Sequence, residues 1–343
     1  MDHTFPSVAE LSMLEEGMLP IVRRPRRNRA TSSWRALVQE TDLLPRHLIY
    51  PVFVTDEKKK QAIPSLRGVY RLPIAAVLKE IDEAISLGIT SVNLFCYVPK
   101  EEKDAIGSAA YREDGLLPRA IRAIKERFPD VLLIADIALD PFTDHGFDGL
   151  IDAAGGVMND PTLFALAHMS LRAAEAGVDL ISPSDMMDGR IAFLRSILDS
   201  HHFSHVGILS YAVKFASSLY APFRDLLGST VRKGNKKSFQ VNPLNAREAL
   251  LECAIDEQEA ADMILIKPAL SSLDIISRAR AHTLLPIGAY QVSGEYAMIE
   301  AAAEKGWLDG EKVLMESLHA IRRAGADFII TYAAKRAARL LQE

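Results

Sequence analysis

The chain has 343 residues, of which 49% are hydrophobic, and a formal net charge of -5 at neutral pH. This length and composition allow a folded protein with a sizeable core, and the weak negative charge excludes a general attraction to nucleic acid or anionic membranes. The N-terminus lacks the apolar core of a signal peptide, and no uncharged apolar run reaches the roughly 18 residues that span a bilayer. Cys96 and Cys253 are the only cysteines, so we expect no disulfide framework and a cytoplasmic location.

The first 47 residues differ in composition from the rest of the chain. Residues 20–29 contain five arginines and two prolines, which argues against a packed helix and for an extended arm. Apolar residues lie between the charges, namely Leu11, Leu14, Leu19, Ile21 and Val22. These apolar residues favour an arm that wraps around a neighbouring subunit, and a disordered basic tail is the alternative. We predict an extended N-terminal arm for oligomerisation over residues 1–47 and a catalytic domain over residues 48–343.

Eight short, apolar, β-rich runs follow, and amphipathic helical patterns separate them. The predicted strands cover residues 48–54, 91–95, 131–137, 179–181, 206–209, 263–266, 286–289 and 328–331. The clearest helical patterns cover residues 74–87, 161–176, 245–260 and 309–323. Continuous apolar strands that alternate with helices indicate a parallel sheet buried on both faces. We therefore predict a closed (β/α)8 TIM barrel. The alternative, a doubly wound open sheet, lacks its usual glycine-rich nucleotide motif.

Two lysines stand just past the ends of strand-like runs. Lys214 ends the segment VGILSYAVK, and Lys267 ends the segment MILIK. A buried ammonium group is costly unless it is paired or loses its proton, and two neighbouring amines disfavour each other's charge. At least one neutral amine would then be present near pH 7, and a neutral amine attacks a ketone. The pattern predicts Schiff-base formation with a carbonyl substrate, and the alternative is a pair of surface lysines.

The active sites of such barrels lie where the strands end, so the residues after each run form the candidate site. Polar residues follow several of the predicted strands, namely Asp136, Asp140, Asp148, Ser182, Ser184, Asp185, Tyr211, Ser293 and Tyr332. Helix caps and turns are the alternative role for part of this set.

Four longer segments resemble the porphobilinogen synthase (5-aminolaevulinate dehydratase) family. They are ILSYAVKFASSLYAPFR at 208–224, ADMILIKPA at 261–269, GAYQVSGEYAM at 288–298 and RAGADFIITY at 323–332. The resemblance runs from about residue 23 to the C-terminus. It implies a lyase that condenses two 5-aminolaevulinate molecules to porphobilinogen with loss of two waters, an early step of tetrapyrrole (haem) biosynthesis. It also implies that Lys267 is the principal Schiff-base lysine, that Lys214 is the second, and that no organic cofactor is needed.

The resemblance also implies which residues bind the two substrate carboxylates. Arg224 and Lys236 match the residues that bind one carboxylate, and Ser293 with Tyr332 match those that bind the other. The family usually has arginine where Lys236 stands, and lysine keeps the charge but loses the planar two-pronged hydrogen bond. We therefore expect binding to be preserved with a different geometry.

The remaining candidates follow the predicted third and fifth strands. Asp136, Asp140 and Asp148 could transfer protons or orient the second amine, with turn capping as the alternative for all three. We also place Tyr211 in the predicted substrate-binding set.

The metal expectations rest on the same resemblance. Zinc-dependent members carry three cysteines where this chain has Ala138, Asp140 and Asp148, so we expect no catalytic zinc. The resemblance implies a separate Mg²⁺ site at Glu252 that acts on the assembly rather than on the chemistry, and an ordinary exposed helical glutamate is the alternative. It also suggests a homo-octamer held by N-terminal arms.

Two other classes of function remain possible on the sequence. A class I aldolase also forms an imine, but it needs one essential lysine, whereas this chain supplies two at adjacent strand ends. A non-catalytic oligomeric scaffold would have no reason to keep both amines together with the carboxylate donors.

Overall fold

The computed structural model describes residues 22–229 and 235–342, and the chain divides into two compact units, Met1–Asp42 and Leu43–Glu343. In the first unit a 3-10 helix over Pro25–Arg29 precedes helix α1 (Ser32–Leu37). Proline suits the first position of a helical turn, and the hydroxyl of Thr31 caps α1 by accepting a hydrogen bond from the Trp34 N–H at 3.2 Å. This part of the predicted arm is therefore partly helical rather than extended. Residues 1–21, with Leu11, Leu14, Leu19 and Ile21, lie outside the described residues.

The second unit contains the strands of the described chain. They are β1 (Leu48–Thr55), β2 (Gln61–Ile63), β3 (Leu66–Leu72), β4 (Ser91–Tyr97), β5 (Leu132–Ile137), β6 (Leu180–Pro183), β7 (Gly207–Lys214), β8 (Met263–Lys267), β9 (Ile287–Gln291) and β10 (Phe328–Thr331). Strands β1 and β4 to β10 pair in parallel in chain order, and β10 pairs with β1 to close the barrel. The predicted TIM barrel and all eight predicted strands are confirmed.

Helices surround the barrel. They are α2 (Ile74–Ser86), α3 (Leu116–Arg127), α4 (Asn159–Glu175), α5 (Arg190–Ser200), α6 (Ala221–Leu227), α7 (Ala246–Gln258), α8 (Leu273–Arg280), α9 (Ser293–Glu304), α10 (Gly310–Ala324) and α11 (Ala334–Leu340). The four helical patterns read from the sequence correspond to α2, α4, α7 and α10. Helix α10 is followed by Gly325, whose φ of 118° lies in a region that side chains disfavour. Within the described residues, no helix is long and apolar enough to cross a membrane.

Strands β2 and β3 form an antiparallel hairpin that the sequence did not predict. Strand β3 lies beside the C-terminal end of β1, with Phe53 opposite Arg71 and Val54 opposite Leu72. Only the end residues of β3, Leu66 and Leu72, are buried. The hairpin therefore lacks the continuous apolar run that marks the barrel strands.

The two cysteines are buried and free. Burial raises the pKa of the Cys253 thiol to about 12, and it raises the pKa of Cys96 further. Neither thiol is ionised at neutral pH.

Candidate active site

Lys214 and Lys267 end the neighbouring strands β7 and β8, and their Cα positions are paired across the two strands. Proline at position 268 has no N–H to continue the ladder, so β8 ends at the lysine. Both lysines lie at the C-terminal rim of the barrel, and only 6% of Lys214 and 4% of Lys267 is exposed. The structure therefore brings the two predicted lysines together in a buried setting, and the surface alternative is wrong.

The amine of Lys267 is enclosed by aromatic rings. The ring centroids lie 5.2, 5.1, 4.9 and 4.5 Å from Nζ, in the order Tyr211, Tyr220, Phe223 and Tyr290. Burial and the charge of Lys214 together lower the pKa of Lys267 to about 7, against nearby carboxylates that raise it. A large share of the Lys267 side chains is therefore neutral and nucleophilic near neutral pH.

Lys214 has a different environment, because it forms an ion pair. Its Nζ donates to Oδ1 of Asp148 at 2.8 Å and to the Ser184 carbonyl. The other oxygen of Asp148 lies 2.8 Å from Nζ of Lys236, which also donates to Asp140 at 3.2 Å. Burial alone would raise the pKa of Asp148, but Lys214 and Lys236 outweigh it and lower the pKa to about 2. These residues form a buried network of alternating charges.

The position of Lys236 bears on its expected role as a carboxylate binder. It lies on a 3-10 turn over Lys236–Ser238 and is buried, with Asp140 and Asp148 as its partners. A substrate carboxylate at this position would therefore have to compete with two protein carboxylates.

Asp136 lies beside this network and is suited to proton transfer. Burial raises its pKa, Asp140 adds to the rise, and Lys214 opposes it. Its Oδ1 has no hydrogen-bond partner among the described residues. A buried carboxyl group that titrates near neutral pH can both donate and accept a proton. Tyr211, whose ring lies against Lys267, is also fully buried.

The remaining predicted residues are each connected to a residue of the aromatic enclosure of Lys267. Helix α6 carries Arg224 directly after Phe223, whose ring faces Lys267. Ser293 is buried, and its hydroxyl accepts from the Phe223 N–H at 3.1 Å and donates to the Leu219 carbonyl at 3.1 Å. The hydroxyl of Tyr332 accepts a hydrogen bond from Tyr290 at 3.3 Å.

Two buried polar residues near the lysines had no signal in the sequence. Asn93, in the middle of β4, lies beside the hydroxyl of Tyr211. Glu295 accepts hydrogen bonds from the backbone N–H groups of Leu270 and Val292, and burial raises its pKa to about 7. In the sequence, a single polar residue inside an apolar run, or in the first turn of a helix, cannot be distinguished from one that only caps a helix or packs in the core.

The residues of the chain do not fit a thiolate-type zinc site. Ala138 offers no donor, and Asp140 and Asp148 are already paired with Lys236. No group of three or more histidine, cysteine or acidic side chains that could hold a metal occurs in residues 22–229 and 235–342. Glu252, the predicted Mg²⁺ ligand, lies on α7. The pKa of the Glu252 carboxyl group is raised, mainly by burial and also by neighbouring carboxylates including Asp256, while Arg190 opposes the rise. A hydrated cation bound there would offset the repulsion between these carboxylates.

Comparison with known proteins agrees with the motifs and the geometry. The family model described as delta-aminolevulinic acid dehydratase matches residues 22–340. The chain belongs to this family. It is 50% identical over 317 residues to the delta-aminolevulinic acid dehydratase of Chlamydia pneumoniae, with 92% of this chain and 95% of the relative covered. It is 48% identical over 324 residues to the chloroplastic enzyme of Glycine max, with 94% and 79% covered.

A solved structure of a family member extends the similarity to the fold. The dehydratase of Toxoplasma gondii ME49, in complex with its reaction product porphobilinogen, has a TM-score of 0.93 and 48% identity, covering 94% of this chain and 92% of that one. Membership of the dehydratase family confirms the predicted activity, which is the synthesis of porphobilinogen from 5-aminolaevulinate. The reaction is that of a lyase and belongs to tetrapyrrole biosynthesis.

Proposed function

We propose that this synthesis proceeds through Schiff bases on two unequal lysines, with Lys267 as the principal one. The observation that carries the proposal is the contrast between their environments. Lys267 lies among aromatic rings with a lowered pKa, whereas Lys214, its partner across the strand pair, forms an ion pair with Asp148. An amine without its proton attacks a ketone, and an ion-paired ammonium group first has to give up a proton.

The chemistry then follows from the imine. The amine of Lys267 adds to the ketone of one 5-aminolaevulinate, and loss of water forms the carbon–nitrogen double bond. The same step at Lys214 would activate the second substrate, once the proton of its ammonium group has been taken up. An imine withdraws electrons from its carbon, and its enamine makes the adjacent carbon a nucleophile. One carbon–carbon and one carbon–nitrogen bond between the two substrates can then form without an organic cofactor. The bonds from the substrate carbons to the two lysines break in the process and return both amines, so the two waters lost in imine formation are the two released in total.

Asp136 is the proposed proton carrier for these steps. Its pKa is raised by burial and by Asp140, and its electrostatic partners include both Lys214 and Lys267. It could accept the proton that leaves an ammonium group and return one to the departing water. Tyr211 would border the bound substrate beside Lys267.

The substrate carboxylates need donors, and four residues are proposed for this role. Arg224, on the helix that covers Lys267, and Lys236, within the charge network, would hold one carboxylate. Ser293 and Tyr332, beside Tyr290 and α6, would hold the other. Ser293 would share its hydroxyl between the substrate and the backbone of α6, because that hydroxyl already has two backbone partners.

The assembly and its metal are proposed on the family resemblance and on the acidic setting of Glu252. We propose a homo-octamer to which the N-terminal arms contribute, a cytoplasmic location, and an allosteric Mg²⁺ at Glu252. A hydrated Mg²⁺ needs only one or two carboxylates, and it would stabilise the assembly without taking part in the chemistry. No role is proposed for zinc or for an organic cofactor.

Two assays test the central proposal. Colorimetric detection of porphobilinogen from 5-aminolaevulinate, with and without a chelator, measures the activity and its metal dependence. Borohydride reduction in the presence of 5-aminolaevulinate, followed by peptide mass mapping, identifies the amines that form imines. The expected result is a substrate adduct on Lys267, and its absence from both Lys267 and Lys214 in active protein would rule out the Schiff-base route.

A further inference from the structure

Helix α6 is too short to hold its own position. It has seven residues, and isolated helices of this length are unstable in water because few hydrogen bonds offset the cost of starting the helix. Its placement over Lys267 therefore depends on contacts with the rest of the barrel. At its N-terminal end, Ser293 provides such a contact through the Phe223 N–H and the Leu219 carbonyl.

Two positively charged side chains from distant parts of the chain bind the C-terminal end of α6. The last carbonyl groups of a helix have no partner inside the helix and attract positive charge. Arg71, on β3, donates from Nε to the Leu226 carbonyl at 2.7 Å and from Nη2 to the Asp225 carbonyl at 2.6 Å. Lys103, in the segment after β4, donates from Nζ to the Leu227 carbonyl at 3.1 Å and to the Gly228 carbonyl at 3.0 Å. Four successive carbonyl groups are thus bound by two side chains.

The two cations are themselves held in place. The guanidinium group of Arg71 stacks over the ring of Tyr97 at 3.6 Å, and its third nitrogen donates to Gln61 at 3.3 Å. Gly228 has a φ of 57°, and a Cβ there would lie 3.3 Å from the Tyr97 ring and 3.6 Å from Nζ of Lys103. The absence of a side chain at Gly228 therefore permits both this turn and the close approach of Lys103.

We infer that Arg71 and Lys103 are positioning residues for the condensation: they hold the end of α6 and thereby fix Phe223 and Arg224 relative to the amine of Lys267. Phe223 forms one side of the aromatic enclosure at 4.9 Å from Nζ, and Arg224 follows it in the same short helix. If the end of α6 were released, the ring would move away from Lys267 and the proposed carboxylate donor would move with it.

The partial burial of both side chains agrees with a role that needs fixed geometry. Partial burial lowers the pKa of Arg71. The pKa of Lys103 is lowered to about 8, mainly by burial; Asp140 opposes the change and Arg71 adds to it. Removing a charged side chain from water costs free energy. On a mobile surface segment both side chains would be better solvated, so their partial burial is consistent with a fixed position. Asp140 is also a partner of Lys236, so this end of α6 lies next to the charge network of the site.

The test compares Arg71→Gln with Arg71→Lys, Lys103→Gln and the control Arg67→Gln. Arg67 lies on the same strand, and its side chain is exposed, so its replacement removes the same charge without touching α6. We expect Arg71→Gln to raise KM for 5-aminolaevulinate at least tenfold. We also expect it to move the acid limb of kcat/KM by about half a pH unit to higher pH, because water admitted to Lys267 restores its pKa. Arg71→Lys should give an intermediate KM, since lysine keeps the charge but loses the two-pronged contact.

The outcomes separate this inference from the proposed function on which it rests. If unmutated protein gives no borohydride adduct on Lys267, the proposed function fails. If it gives the adduct but Arg71→Gln matches Arg67→Gln in KM and in the acid limb, with only a lower melting temperature, the positioning role is wrong. Should Arg71→Gln fail to fold, Lys103→Gln leaves both guanidinium contacts in place and answers the same question, with an unchanged KM and acid limb overturning the inference.

Discussion

Lys214 and Lys267 are partners across the β7–β8 pair, yet one forms an ion pair with a carboxylate at 2.8 Å and the other lies among four aromatic rings. Two lysines at paired strand positions thus lie in different environments, one beside a carboxylate and one among aromatic rings. This asymmetry matches a reaction in which two identical substrates have different roles. Under the proposed mechanism, the two substrate positions would therefore differ before either molecule binds.

Replacing the lysines tests their roles directly. Lys267→Ala should lower kcat by on the order of 10³-fold or more, because no other side chain can supply an imine nitrogen at the same place. Lys214→Ala should also be severely impaired. Both should keep the circular dichroism spectrum of the unmutated protein, and the exposed Lys79→Ala on α2 serves as the control. Near-normal kcat in either active-site variant would refute the assignment.

The pH dependence should report the amine of Lys267. Its pKa is lowered to about 7 by burial and by Lys214, while Asp136, Asp140 and Asp148 raise it. As pH falls through this value the amine gains a proton and stops attacking the ketone, so kcat/KM and the rate of borohydride trapping should both fall on the acid side. In Lys214→Ala the loss of a neighbouring positive charge should move the trapping curve to higher pH. A curve that stays flat from about pH 5.5 to 8.5 would contradict the lowered pKa.

Arg224→Ala should weaken substrate binding. Loss of a charge-assisted donor typically costs about 1.5–3 kcal/mol, which corresponds to a rise of at least about tenfold in KM. Arg122→Ala, an exposed arginine on α3, is the matched control. Lys236→Arg should be tolerated or beneficial, because arginine keeps the charge that faces Asp140 and Asp148. Unchanged kinetics in Arg224→Ala would place that residue outside the site.

The metal prediction concerns Glu252. Glu252→Gln should abolish stimulation by Mg²⁺ and keep a basal rate, because the lysines are untouched. Glu257→Gln, on the same helix, should respond to Mg²⁺ as the unmutated protein does. Elemental analysis of active protein should find no stoichiometric zinc. Turnover that requires zinc, or full Mg²⁺ stimulation in Glu252→Gln, would show that the metal is wrongly placed.

The N-terminal arm is tested by truncation. Removal of residues 1–30 should reduce the size of the oligomer, because the apolar residues of this segment are proposed to contact a neighbouring subunit. Light scattering coupled to size-exclusion chromatography gives the mass directly. An unchanged mass after truncation would leave the arm without the proposed role.

The sequence predicted the barrel and the pairing of its two lysines, because both depend on local signals. Buried parallel strands read as continuous apolar runs, and a lysine directly after such a run stands out. The β2–β3 hairpin was not predicted, because only Leu66 and Leu72 of β3 are buried and the strand has no continuous apolar run. The contacts between Arg71 and the end of α6 were also not predicted, because they join residues more than 150 positions apart in the sequence. Taken alone, Arg71 resembles any charged surface residue. The pairing of Lys236 with Asp148 needed the closed barrel for the same reason.

The burial of Cys96 and Cys253 has a consequence for the conditions under which the protein can work. Oxidants and soft heavy-metal ions attack the ionised form of a thiol, and burial suppresses that form at both cysteines of the chain. The proposed chemistry uses amines and carboxylates, which peroxide does not inactivate as it does thiolates. We therefore expect porphobilinogen formation by this chain to need no supply of reductant and to continue under an oxidative stress that halts enzymes built on exposed thiolates.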